Sequence, residues 1–496
     1  MITTISSIYF QGLNPYNITV QISITNGLPS FIMVGLPSRT ISESKERIRA
    51  ALQSIGLSLP AKKIIINLSP ADLEKDGSHF DLAITMGILS ELNIIPKHKL
   101  QSYLILGEIL LDGKIVKVPG ILPAAIYANQ KNNGLICSKE NENEALFSGN
   151  ENILAFDNIL DIINHFTSKH IIKHSCPAPL TNTVSIQNKE DFAEISGQKS
   201  AKRALEIAAA GGHNILLIGP PGSGKSMLAK RFYTILPDLN TKEILECSTI
   251  HSIAGLLPSG NLIYKRPFRA PHSSASTISI IGGGKKIIPG EITLAHKGVL
   301  FLDELPHFSS QTIEALRAPL EDQNICITRA NDRILYPADF QLIAAMNPCK
   351  CGNLYNKKLQ CAQAPVCGQK YSYRISGPIL DRFDIKIYVN SDISLSNIQN
   401  ETSESIKARV CKARNLAMKK YNNINAKNNN IINHISDDIK KILNENIEKY
   451  NLSMRQCNKI IKVARTIADL SESNDIQQEH ILEAISYNQN QHPNIG

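Results

Sequence analysis

Short apolar runs separated by amphipathic stretches organise the first third of the chain. Ile64-Ile-Ile-Asn-Leu68, Tyr103-Leu-Ile-Leu106 and Ile115-Val-Lys-Val118 read as strands, and Ser42 to Leu52 repeats its apolar positions at helical spacing. Such alternation predicts an α/β domain over residues 1–170. Residues 171–190 lose all periodicity and carry Pro177 and Pro179, which predicts a linker. Between 191 and 395 the apolar runs stop alternating: Ile215–Ile218, Val299–Leu302 and Phe340–Met346 read as strands buried on both faces, as in a parallel sheet. Residues 396–496 return to helical spacing at Ile439–Leu443, Lys459–Ala468 and His480–Ile485, which predicts a small helical lid. The asparagine-rich tract Asn422–Ile431 reads as a polar connector.

The middle zone carries the chemistry. Gly219-Pro220-Pro221-Gly222-Ser223-Gly224-Lys225-Ser226 lies between the run Asn214–Ile218 and a helical continuation opening at Met227, the strand-turn-helix setting of a phosphate-binding loop. Its glycines let backbone N–H groups turn toward a β-phosphate, and the helix adds its positive end. Lys225 then reaches the β and γ oxygens, and Ser226 is a ligand for Mg²⁺. About eighty residues on, Gly298-Val-Leu-Phe-Leu-Asp303-Glu304 reads as a buried strand delivering two carboxylates at its carboxyl end. Asp303 suits the Mg²⁺ shell and Glu304 the polarising of an attacking water. Loop and acid pair together imply ATP hydrolysis with ATP and Mg²⁺.

Composition narrows the setting. At 496 residues and 43% hydrophobic content the chain can form several cores, and a net charge of +9 favours polyanionic partners. No run is long enough to span a bilayer and no secretory signal is evident, so a cytoplasmic protein without membrane contact is expected. Of ten cysteines, Cys137, Cys176, Cys247, Cys326, Cys411 and Cys457 are scattered and read as buried thiols. Cys349, Cys351, Cys361 and Cys367 cluster within one loop, and that density suits either structural Zn²⁺ or redox-sensitive thiols. Ile325–Arg329 and Arg333–Tyr336 flank Ala330-Asn-Asp as a hairpin.

Further motifs extend along nearly the whole chain: Glu43-Ser-Lys-Glu-Arg47, Lys75-Asp-Gly-Ser-His-Phe-Asp81, Ala201 to Asn214, Arg266-Pro-Phe-Arg-Ala-Pro-His272 and Ser376-Gly-Pro-Ile-Leu-Asp-Arg-Phe-Asp384. In these the chain resembles the magnesium-chelatase-like AAA+ ATPases of the YifB/ComM family. The resemblance implies an α/β protein with a Lon-protease-like N-terminal domain, then a three-layer αβα AAA+ P-loop domain with a helical lid. It implies a hexameric ring that acts on single-stranded or branched DNA, as a branch-migration helicase in recombination or natural transformation. A motor that remodels a protein partner is the alternative.

The resemblance also implies roles for single residues. Asn347 would be the sensor that positions water, Arg382 a finger donated to a neighbour's ATP, and Arg455 the second sensor on the lid. A guanidinium suits both tasks, being always charged and able to bond phosphate oxygens bidentately. Arg382 could instead pair with Asp381 or Asp384, Arg455 could face solvent, and Arg374 or Arg465 could take either role. Lys285 and Lys286, in an insert, and Arg329 and Arg333, on the hairpin, would face the ring channel and track a phosphate backbone. In the Lon-like zone His79 stands at the nucleophile position, Ser78 beside it, and Leu122 where a lysine base is expected. That absence of a base favours a non-proteolytic domain over a peptidase.

Overall fold

The computed structural model describes residues 2–167, 190–258, 261–284, 287–329, 332–354, 362–390, 400–431, 437–450 and 452–488. The expected linker, Glu190 apart, lies outside the described residues, as does Cys176. Two compact units are present, Met1–Thr183 with Thr241–Ile263, and Val184–Asn240 with Tyr264–Gly496.

The first unit is built on a seven-stranded mixed sheet ordered Ser30–Val34, Lys63–Ser69, Asn14–Thr25, Ile2–Gln11, Tyr103–Ile105, Gly134–Ser138, Ile153–Phe156. Lys63–Ser69 buries Ile64, Ile66 and Leu68 in strict alternation, so one face of this strand covers the core. The helix Asp81–Glu91 packs on the two long N-terminal strands so closely that a Cβ on Gly87 would stand 1.9 Å from Ile22 Cδ1. Two of the sequence motifs meet there. Asp81 is fully buried and receives Arg47 Nε at 2.6 Å and Nη2 at 3.1 Å, with Ser44 Oγ as a third donor. A buried carboxylate needs such partners, since breaking the pair would leave an uncompensated charge. The helix Thr241–Ile253, although it follows the phosphate loop in sequence, belongs to this unit: Ser252 donates to Glu144, and Ser252 O accepts from Gly120 N at 3.0 Å.

The second unit holds a five-stranded sheet ordered Phe268–Arg269, Val299–Leu302, Gln341–Met346, Ile215–Ile218, Ile385–Tyr388, with every pairing parallel. The non-alternating runs are buried along their length, as a sheet covered on both faces requires. The C-terminal helices Ser403–Tyr421, Met454–Leu470 and Gln478–Ser486 contribute Val410, Ala413, Ile460, Ala464, Ile467 and Ala484 to the same hydrophobic core as Ile215, Ile343 and Val389. The small side chains Ala204 and Ala208 on the helix Lys199–Gly211 make room for that approach. The helical region is therefore welded to the sheet through a shared core.

Polar contacts fix its angle. His213 Nε2 lies 2.8 Å from Thr466 Oγ1, and Asp339 takes Lys297 Nζ at 2.9 Å and the ammonium of Lys427. Burial pushes the Asp339 carboxyl up, but the two ammonium groups outweigh it and hold it below its ordinary range. A depressed carboxyl contributes stability in full above its unfolded value near 3.9 and loses it as pH falls through the lower folded value. Asp339→Asn is thus expected to cost about 1–3 kcal/mol at pH 7. Paired thermal melts should show the wild-type advantage shrinking only below about pH 4; a gap that persists unchanged in acid would refute the ion-pair account.

Among the described residues no helix is long and apolar enough to cross a membrane.

Candidate active site

Strand register gathers the site. Ile218 is level with Met346, and Leu302 with Ala344, so Gly219, Asn347 and Asp303 emerge at the carboxyl edge of the sheet. The loop then turns through Gly222 and Gly224 at φ +76° and +86°, a conformation L residues rarely hold, and a Cβ on either would project into open space. That open space beside a helix start at Lys225 leaves room for a phosphate chain. Gly219 has a different reason: a Cβ there would lie 2.3 Å from Val389 O.

Lys225 is 8% exposed, and its ammonium donates to Gly219 O and Pro220 O, each at 2.8 Å, and to Asn347 Oδ1 at 3.2 Å. Burial lowers its pKa against the opposing pull of Asp303 and Glu304. Such a cation, desolvated and satisfied only by neutral oxygens, has much to gain from an anionic phosphate. Ser226 Oγ donates to Asp303 Oδ2 at 2.6 Å, which places a hydroxyl and a carboxylate side by side as hard oxygen ligands for Mg²⁺. Pro220, Pro221, Ser223 and Met227 complete the loop and the first helical turn. The side chain of Glu304 stands apart from this group, although its backbone N–H donates to Asp303 Oδ1 at 3.0 Å. It is half exposed, its backbone is at φ +53°, and its Oε2 lies 3.1 Å from His307 Nδ1. A non-glycine residue in that region is held there by its surroundings at a cost, a feature concentrated at working sites. His307 was not anticipated; its place three residues after Glu304 is the signal that was available.

The two candidate arginines are found elsewhere. Arg382 precedes the strand Ile385–Tyr388, and its carbonyl accepts from Asn214 Nδ2 at 3.1 Å, at the amino edge of the sheet. From Asn214 to Gly219 the extended chain covers roughly 16 Å. Arg382 is 8% exposed and pairs with neither Asp381 nor Asp384 but with Glu321, at the end of the helix Arg317–Asp322. Arg455 shares that carboxylate, its Nη2 3.2 Å from the same oxygen. Arg465 is buried against Asp469 and the carbonyls of Ser473 and Asn474, which makes it a structural residue; Arg374 is exposed.

The remaining candidates divide. Asn324–Arg329 pairs with Asp332–Pro337 in the expected hairpin, and since Arg329 pairs with Asp332 the turn is shorter than expected. Arg333 is exposed, with Nε 3.2 Å from Cys326 Sγ, so Cys326 is an exposed thiol rather than a buried one, and Cys411 is only half buried. The insert rests on this hairpin: Tyr336 Oη donates to Ile287 O at 3.0 Å, and Gly282 lies against Ile327. Lys285 and Lys286 themselves lie outside the described residues.

In the cysteine loop, Cys349 and Cys351 bring their sulfurs to 3.2 Å and Cys367 lies on the helix Val366–Ser372, whereas Cys361 lies outside the described residues. Among the described residues no group of three or more histidine, cysteine or acidic side chains is arranged to hold a metal, so the zinc expectation finds no support. The loop does abut the phosphate loop, since a Cβ on Gly352 would lie 2.3 Å from Pro221 Cδ. In the N-terminal unit Ser78 Oγ donates to Glu108 Oε2 at 2.6 Å, His79 Nε2 lies 3.0 Å from Ile8 O, and Leu122 is fully buried.

Comparison with known proteins bears on this arrangement. Residues 191–396 match the family described as magnesium chelatase, subunit ChlI. Residues 20–141 match subunit ChlI of Mg-chelatase, and 400–488 the C-terminal region of that subunit. The chain is 40% identical to the uncharacterized protein YifB of Escherichia coli strain K12, over 96% of this chain and 95% of that one. It is 38% identical to the competence protein ComM of Haemophilus influenzae, over 96% and 95%. A shorter stretch, 40% of this chain and 20% of the other, is 26% identical to the DNA replication licensing factor Mcm2 of Drosophila melanogaster.

Proposed function

Because the chain belongs to the magnesium-chelatase-like YifB/ComM family, we propose that it is an ATP-hydrolysing ring motor of the AAA+ class acting on single-stranded or branched DNA. The observation that carries this reading is the division of charged groups between opposite edges of one sheet. Lys225, Ser226, Asp303 and Asn347 share the carboxyl edge, whereas Arg382 and Arg455 meet at Glu321 beside the amino edge. Arginines so placed are out of reach of the phosphates in their own subunit and serve the next one through head-to-tail contacts, which close into a ring when the rotation between subunits closes. A hexamer and a non-proteolytic Lon-like N-terminal domain belong to the same reading.

In the pocket, backbone N–H groups of residues 222–226 cradle the phosphates, and Lys225 exchanges its carbonyl partners for β and γ oxygens. Mg²⁺, held by Ser226 and Asp303, would neutralise charge on the phosphate oxygens. Glu304 accepts a proton from the water that attacks the γ-phosphorus, Asn347 orients that water, and ADP leaves with the β–γ bridging oxygen. The neighbour's arginines stabilise charge on the transferring phosphoryl group. Support for DNA as the substrate comes from the exposed Arg333 on a hairpin backed by the insert, and from relatives whose names concern competence and DNA replication.

The test is steady-state ATP hydrolysis by the whole protein alone, with single strands, and with a three-stranded junction. Stimulation by DNA is expected, together with a rate per subunit that rises with protein concentration. Robust hydrolysis indifferent to every DNA would point instead to a protein client, and absence of hydrolysis would overturn the reading altogether. Retention on DNA should fall steeply with salt, the log–log slope easing by about one when Arg333→Ala removes one phosphate contact.

A further inference from the structure

Arg382 and Arg455 do not merely lie near one another. Nη2 of each is paired with Oε1 of Glu321, a single carboxylate oxygen between two guanidinium groups. The remaining nitrogens of Arg382, Nε and Nη1, are buried without a hydrogen-bond partner. A buried guanidinium with two unfilled donors is an unfinished arrangement, since leaving such groups unpaired is costly in any folded protein. Glu321 is 53% exposed and Arg455 49%, so the cluster is buried at the Arg382 end and wet at the carboxylate.

The surroundings make this group rigid. Lys459, one turn along from Arg455 on the helix Met454–Leu470, donates to Asp381 O and, at 3.0 Å, to Phe383 O, the two carbonyls on either side of Arg382. The backbones carrying the two arginines are thereby tied together. Their like charges would still drive the side chains apart without an anion between them.

We propose that Glu321 is the positioning residue for both arginines, holding them as one unit to be presented to the triphosphate bound by the neighbouring subunit. This rests on the reading that Arg382 acts across a subunit boundary. Glu321 itself need not touch the nucleotide. It sets the spacing of the two guanidiniums before the neighbour arrives, and its effect belongs to the rate of hydrolysis next door rather than to nucleotide binding in its own loop.

Mixed rings provide the test, at a protein concentration where the hydrolysis rate per subunit has reached its plateau. Glu321→Gln keeps the side-chain shape and removes the charge. It is expected to lower kcat about tenfold with KM for ATP within about twofold, the signature of an interaction made in the transition state. Lys225→Ala alone is expected to be inactive, yet its arginines are intact. Mixed one to one, these two proteins should reach about a quarter of the wild-type rate, roughly fivefold above the mean of the separate samples, because half of the competent pockets acquire an intact neighbour.

Arg382→Ala mixed with Lys225→Ala is the control for the underlying reading. If that pair recovers activity and the Glu321→Gln pair does not, Glu321 acts within its own subunit and the proposal fails alone. If neither pair recovers, the cross-boundary reading fails and takes the proposal with it. Wild-type kcat in Glu321→Gln would also overturn it. Matching melting temperatures establish that the variant is folded, and Glu321→Ala in the same mixture decides the matter if the Gln protein is unstable.

Discussion

Glu304→Gln protein is expected to bind ATP as tightly as wild type and to hydrolyse it at least about a hundredfold more slowly, the low end of what a positioned general base contributes. The split follows from where the side chain stands. Phosphate and metal binding are assigned to Lys225, held against Asn347 at 3.2 Å, and to Ser226 and Asp303, bonded to each other at 2.6 Å. The Glu304 side chain takes no part in those contacts; its carboxylate is half exposed and bonded to His307. Gln keeps the size and the hydrogen bond but cannot accept a proton from water. Lys225→Ala should behave differently, losing affinity and turnover together. A fluorescent nucleotide for binding and phosphate release for turnover separate the two, and a Gln variant hydrolysing within tenfold of wild type would remove Glu304 from the role of base.

The same contrast shows what the one-dimensional pattern carries. The glycine-rich turn, the acid pair and Asn347 are placed together at one sheet edge by signals that are local in sequence: turn-forming glycines, or a polar residue ending an unbroken apolar run. Register does the rest, since parallel strands of similar length bring their ends to one edge. Partners that depend on distant segments leave no such trace. Glu321 lies in an ordinary charged helix end, and nothing near it announces two arginines at positions 382 and 455. For the same reason Asp381 and Asp384 are plausible partners for Arg382 by proximity in sequence, yet Asp384 is engaged by His213 and Lys459. The helix Thr241–Ile253 teaches a related lesson. Its composition suits either unit, and its packing on the helix Ile121–Gln130, with the contacts of Ser252 to Gly120 and Glu144, places it with the first. Solvent exposure of Cys326 is likewise set by a hairpin edge rather than by the residue's own preference for burial.

Arg382→Ala should produce the larger loss, with hydrolysis falling about a thousandfold or more, as removal of a trans-acting guanidinium does in phosphoryl transfer. Nucleotide affinity of the altered subunit should be unchanged, because Arg382 lies some 16 Å of extended strand away from its own phosphate loop. An arginine that served only the fold would give the opposite pattern: a lowered melting temperature, with activity lost in proportion to unfolded protein. The burial of Arg382 makes that alternative concrete, since Ala would leave the Glu321 carboxylate bonded only to Arg455. Dependence on protein concentration separates the two. Wild-type turnover per subunit should climb as rings form, whereas the Ala variant should stay flat even where sedimentation shows it assembled. If assembled Arg382→Ala rings hydrolyse ATP at the wild-type rate, no guanidinium crosses the boundary at this position, and the two edges of the sheet do not cooperate between subunits.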